Sequence, residues 1–158
     1  MPEIAEILER LAQVRSETLR RLEGMTQEQL NARPGPEAGE EAWSPGEVFM
    51  HLAIDEIYVR ELIARPLLSG IQPPEGVSFL PPPPPHGAPR ETIRFWFERA
   101  RDGTVYYLES LAAKPNLACT HGGGLEPMNG LEWLLGYAGH EAFHHRQIDA
   151  LIAASREY

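Results

Sequence analysis

Three of the six histidines lie within six residues near the end of the chain, at His140, His144 and His145. Residues four apart on an α-helix lie one turn apart on the same face. His140 and His144 can therefore direct two imidazoles at one divalent metal ion, for which neutral imidazole is a common ligand. The spacing predicts part of a metal site whose third ligand must come from elsewhere in the chain.

His51 is the candidate for that third ligand, because it shares the inward line of a second predicted helix with Asp55. Burying such polar groups without partners costs about 1–3 kcal/mol each. A metal bound by His51, His140 and His144 would satisfy all three imidazoles. Asp55 is then expected to accept a hydrogen bond from an imidazole N–H in the outer coordination shell, or to act as a ligand itself. The alternative for His51 alone is a hydrogen-bonded core histidine.

His145 lies about 100° around the helix from His144. It is expected either in the outer coordination shell or packed at a helix boundary. Three protein ligands would leave an open coordination position, which is typical of a reactive metal rather than a closed structural one.

Glu141 is the candidate catalytic residue, because residues 140–144 match the H-E-x-x-H pattern in which a glutamate acts as general base. The longer protease signature fails at Gln147, and the chain ends 14 residues after His144. These features argue against a protease. A di-iron carboxylate site is also disfavoured, because Val48 stands three residues before His51, where a second Glu-x-x-His motif requires glutamate. Glu141 is predicted to activate metal-bound water; the alternative is a surface or outer-shell carboxylate.

Four segments with helical periodicity must position these side chains. Ser44, Pro45 and Glu47 form a clear helix start, and Asn129 can cap the last helix. The segments predict an all-α, single-domain four-helix bundle over residues 1–158, with long connections between helices 1 and 2 and between helices 2 and 3. The four helices are expected at about residues 4–22, 45–65, 90–113 and 130–154.

Composition excludes several classes of protein. The formal net charge of -9 argues against nucleic acid and anionic membranes as partners, because the long-range field repels them. No apolar run is long enough to cross a bilayer. Cys119 is the only cysteine, so an internal disulfide framework is excluded. The acidic, helix-like start of the chain does not resemble a secretory signal, which predicts a cytoplasmic protein.

Three segments carry a resemblance to a known family: residues 25–31, 43–52 and 140–148. In their order and spacing they are similar to the DinB/YfiT-like superfamily of metalloenzymes, over nearly the whole chain. The resemblance implies a four-helix bundle that holds a divalent metal, often nickel or zinc, through three histidines, which correspond to His51, His140 and His144. Family members are commonly dimers, so a homodimer is expected.

Some members of this family are transferases that act with bacillithiol, mycothiol or glutathione, and one branch isomerises maleylpyruvate. The leading hypothesis is therefore a metal-dependent S-transferase that takes a low-molecular-weight thiol and an electrophilic substrate. The alternatives are a metal-dependent hydrolase that uses metal-bound water, and a non-catalytic, metal-stabilised stress-response or binding module.

Overall fold

The computed structural model describes residues 3–35, 42–74, 81–111, 114–122 and 126–155. Its four long helices are α1 (Ile4–Glu23), α3 (Pro45–Tyr58), α5 (Arg90–Glu109) and α6 (Gly130–Ser155). Two short helices, α2 (Gln27–Asn31) and α4 (Arg65–Leu68), lie in the connections. The predicted all-α class is confirmed, since the β-type pairing within the described residues is a single isolated bridge between His121 and Met128.

The long helices form a closed ring of neighbours, in which α1 contacts α6, α6 contacts α3, α3 contacts α5, and α5 contacts α1. The connections before α3 and before α5 are long, as predicted; residues 36–41 and 75–80 lie outside the described part of the chain. None of the described helices is both long and apolar enough to cross a lipid bilayer.

The start of α3 follows the predicted chemistry. The Ser44 side chain accepts a hydrogen bond from the Glu47 backbone N–H, and the Glu47 side chain accepts one from the Ser44 N–H. This capping box satisfies backbone donors that an α-helix leaves unpaired, and Pro45 is preset for the first turn. Because the helix starts at Pro45, the rotation of α3 about its axis places His51 on the side that faces α6.

The second long helical segment extends one turn beyond the predicted end near Arg65. A π-helical turn over Val59–Ala64 leads into α4, which ends at Leu68. In an α-helix the ring of Pro66 would clash with the carbonyl four residues earlier. The hydrogen bonds of the π-helical turn span five residues instead of four, which shifts that carbonyl and lets the helix pass the proline.

Helix α5 ends at Glu109, four residues before its predicted end at position 113, which lies outside the described residues. The Ser110 hydroxyl donates to the Tyr107 carbonyl at 3.0 Å. A serine that bonds a nearby backbone carbonyl in this way competes with continued helix.

The core has two apolar clusters with a layer of charged side chains between them. The first cluster includes Leu11, Val14, Val59, Leu108 and Tyr137. The second includes Leu22, Leu52, Ile93, Phe97 and Ile148. Each long helix carries one charged side chain, buried or nearly so, at a sequence position between members of the two clusters. These side chains are Arg15, Glu56, Arg101 and Glu141.

Gly130, the first residue of α6, permits close contact between α6 and α4. A Cβ atom at this position would lie 2.6 Å from the Ala64 carbonyl oxygen and 2.5 Å from a Leu68 side-chain carbon. We expect Gly130→Ala to lower the free energy of unfolding by about 1–3 kcal/mol, the usual cost of overpacking. Gly136→Ala in the same helix is the matched control, because its Cβ would meet no atom within 4 Å. Denaturant titration should show a stability loss for the first variant only.

Candidate metal centre

The structure brings His51, His140 and His144 together between α3 and α6. One ring nitrogen from each residue can be chosen so that all three lie within 4.8 Å of one another. The Nε2 atoms of His51 and His140 are 3.4 Å apart. Two nitrogen ligands of a tetrahedral zinc ion, each at about 2.0–2.1 Å, would lie roughly 3.3–3.4 Å apart. The separation of His51 and His140 therefore matches that of two ligands on one ion, and His144 lies close enough to be the third.

A buried tyrosine holds the two helices of this cluster against each other. The Tyr137 hydroxyl donates to the Leu52 carbonyl at 2.7 Å, and Tyr137 is only 3% exposed. Leu52 follows His51 directly, and Tyr137 lies one turn before His140. This hydrogen bond therefore sets the position of α6 against α3 at the level of the histidines.

Burial favours the neutral form of the His51 and His140 imidazoles. Burial, followed by the neighbouring His144 and His140, lowers the pKa of His51 to about 4. Burial also lowers the pKa of His140, although the Glu141 charge opposes that effect. A neutral imidazole keeps a free lone pair, and metal ions bind imidazole in that form. The residues present thus fit a divalent metal by chemistry as well as by spacing.

Gln147 orients one of the candidate ligands. Its side-chain oxygen lies 2.8 Å from Nδ1 of His144. When that nitrogen carries the proton and donates to the amide, Nε2 is left free to bind a metal, which is the usual outer-shell arrangement. Sequence reasoning did not assign Gln147 this role. The available signal was its spacing of three residues from His144 on one helix face.

Asp55 lies beside the cluster, in contact with His140. Its Oδ2 atom is 3.3 Å from Nε2 of His140. Burial raises the pKa of Asp55 to about 6; the His144 charge opposes this rise and Glu56 adds to it. Burial makes ionisation of this carboxylate unfavourable in free energy. A nearby cation would lower that cost.

Glu141 points into the charged layer of the core. It is completely buried, and its Oε1 atom accepts hydrogen bonds from Arg15 at 2.8 Å and from Thr18 at 2.6 Å. Its Oε2 atom accepts one from Arg101 at 3.1 Å. Because both oxygens are engaged, these contacts favour a structural role. The general-base role of Glu141 stays a prediction.

The charged layer joins all four long helices. Glu56 of α3 binds Arg15 of α1 at 2.6 Å and Arg101 of α5 at 2.8 Å. Glu141 of α6 binds the same two arginines. Burial alone would raise the pKa of Glu56, but Arg101 and Arg15 hold it below its ordinary value. The layer therefore pairs two carboxylates with two guanidinium groups.

Sequence reasoning missed Arg15, Glu56 and Arg101. A signal existed in α1, where Arg15 stands four residues after Leu11 and three before Thr18, on the stripe that faces the core. A charged residue in such a stripe requires a buried partner of opposite charge. The partner, however, lies in a different helix, which periodicity cannot identify.

His145 contacts α1. Its Nε2 atom is 2.7 Å from the Thr18 hydroxyl, and its Nδ1 atom is 3.6 Å from a Glu17 carboxylate oxygen. These contacts pack His145 against α1. An outer-shell role for His145 stays a prediction.

Comparison with curated proteins finds no match, and comparison with solved structures also finds none. A protein-family model does match, over residues 2–148. That match spans the capped start of α3, the cluster of three histidines and the charged layer. The chain therefore belongs to the DinB superfamily.

Proposed function

We propose that this protein is a metal-dependent S-transferase that joins a low-molecular-weight thiol to an electrophilic substrate. The observation that carries the proposal is the set of three imidazoles from His51, His140 and His144, with ring nitrogens within 4.8 Å of one another. A site with three protein ligands leaves room for a further ligand. The partial exposure of His140, at 40% of its side chain, gives that ligand access from solvent.

Nickel or zinc is the metal that we expect in this set, since imidazole donors suit both. A divalent metal held there would supply Lewis acidity, which lowers the pKa of a thiol that enters the open position. The histidines must be neutral to bind the metal. The lowered pKa values of His51 and His140 favour that neutral form. The homodimer implied by the resemblance stays a prediction.

Aromatic side chains flank the cluster and could receive the organic part of a substrate. The rings of Trp43 and His51 have their centroids 5.0 Å apart, and those of Phe143 and His144 are 5.9 Å apart. Phe143 is 69% exposed. Apolar surfaces beside a small number of polar groups are typical of small-molecule sites.

The test is thiol transfer to monochlorobimane by protein loaded with nickel or zinc, with bacillithiol and glutathione as separate thiol donors. In this reaction the sulfur forms a C–S bond, chloride leaves, and the thiol proton passes to the buffer. We expect fluorescent conjugate to form at least 10-fold faster than with metal-free protein. Gln147→Ala should lower the rate while the metal stays bound, because His144 loses its orienting partner.

Equal rates for loaded and metal-free protein with both thiols would contradict the transferase proposal. A protein that gains stability from the metal but shows no thiol chemistry would instead support the non-catalytic alternative. Hydrolysis of ester substrates that disappears in Glu141→Gln with the metal still bound would support the hydrolase alternative.

A further inference from the structure

The contact between Asp55 and His140 involves the nitrogen that faces the other ligands. Asp55 Oδ2 lies 3.3 Å from Nε2 of His140, and the same Nε2 lies 3.4 Å from Nε2 of His51. A nitrogen that binds a metal carries no proton and cannot donate to a carboxylate. An outer-shell carboxylate binds the opposite ring nitrogen, as Gln147 does at His144. Asp55 therefore lies on the ligand side of His140.

The charge around Asp55 differs sharply from that around its neighbour Glu56. Glu56 is paired with Arg15 and Arg101. The Asp55 side chain is only 16% exposed, and it contacts the imidazole of His140 where Glu56 contacts two guanidinium groups. A mostly buried carboxylate without a permanent cation is costly unless an ion supplies the missing charge.

We propose that Asp55 is the fourth protein ligand of the metal, which gives a donor set of three imidazoles and one carboxylate. The distances from His140 Nε2 to Asp55 and to His51, 3.3 and 3.4 Å, are both the separation of two ligands bound to one ion. Asp55 follows His51 by four residues on α3, as His144 follows His140 on α6. Each helix thus contributes one pair of ligands with the same spacing.

This donor set restricts the metal and its chemistry. A hard, negatively charged oxygen disfavours copper(I) and suits a divalent ion that also accepts imidazole. With four protein ligands, an incoming thiol requires a metal that reaches five or six coordination. The inference depends on the proposal that the site holds a metal, but it does not depend on thiol transfer.

The test combines a crystal structure of the cobalt-loaded protein with chelator competition on variants. We expect an Asp55 oxygen within about 2.0–2.2 Å of the ion. Loss of an outer-shell partner typically weakens metal affinity by about 10–100-fold, so Asp55→Ala should weaken it by more than about 100-fold. Asp55→Asn, which keeps a neutral oxygen donor, should fall between Asp55→Ala and the wild type. Asp149→Asn, at an exposed carboxylate paired with Arg21, is the matched control and should bind as the wild type does.

An Asp55 oxygen farther than about 3 Å from the bound ion would overturn the inference, as would an affinity loss of 100-fold or less for Asp55→Ala. In either case metal binding by the wild type would leave the proposed function intact. If the wild type binds no metal, the proposed function fails as well. Circular dichroism of each variant checks the fold, and the wild-type crystal structure decides the question if Asp55→Ala does not fold.

Discussion

Replacement of His51, His140 and His144 together by alanine is expected to eliminate stoichiometric metal binding. The three imidazoles supply the nitrogen donors of the cluster, and their removal leaves a carboxylate that cannot hold a transition metal alone. Elemental analysis of purified protein should find about one equivalent of nickel or zinc in the wild type and none in the triple variant. His140→Ala alone should weaken affinity by more than about 100-fold, beyond the range of outer-shell losses.

Metal binding by the wild type and the triple variant can also be measured through their thermal stability. A metal that binds only the folded state at 100 times its dissociation constant adds about 2.7 kcal/mol to the free energy of unfolding. Added metal should therefore raise the melting temperature of the wild type and leave that of the triple variant unchanged. His86→Ala is the control, since His86 is a partly exposed histidine that contacts Glu47. A triple variant that retains metal would show that the ion binds elsewhere.

Truncation of Glu141 is expected to cause the largest loss of stability. Glu141→Ala removes a fully buried carboxylate and leaves Arg15 and Arg101 facing one remaining carboxylate, that of Glu56. Breaking a buried ion pair by removing one partner costs about 3–5 kcal/mol, because an uncompensated charge remains in the core. Urea unfolding followed by circular dichroism measures the change. Glu141→Gln is the milder variant, since it keeps the side-chain volume and an oxygen that can accept from Thr18.

Glu98→Ala provides the matched control, because Glu98 pairs with Arg94 on the surface of α5, where both side chains are more than half exposed. An exposed pair of this kind contributes at most about 1 kcal/mol. If Glu141→Ala were no more destabilising than Glu98→Ala, the charged layer would not hold the helices together. If Glu141→Gln kept full stability and bound metal but lost turnover, the general-base role would gain support instead.

Much of the fold follows from local chemistry. Helical periodicity, the capping box at Ser44 and Glu47, and the cap at Asn129 correctly indicated the long helices, because backbone hydrogen bonding and apolar stripes are short-range properties. The boundaries at Leu68 and Glu109 differed from prediction. They depend on a π-helical turn and on a serine contact, which periodicity does not register.

By itself, the sequence determined which residues could share one helix face. His140 and His144 were recognisable as a pair because four-residue spacing is enough to align them. Their meeting with His51 was inferred from the inward line of a distant helix, and the structure brings the three together.

Only the tertiary structure decided what lies across from each inward side chain. It paired Glu141 with two arginines from other helices. It also placed Asp55 next to Nε2 of His140, the nitrogen that faces His51. The physical reason is that helical periodicity gives the direction of a side chain on its own helix. The partner that it meets depends on the rotation and axial shift of neighbouring helices, which are set by packing of the whole core.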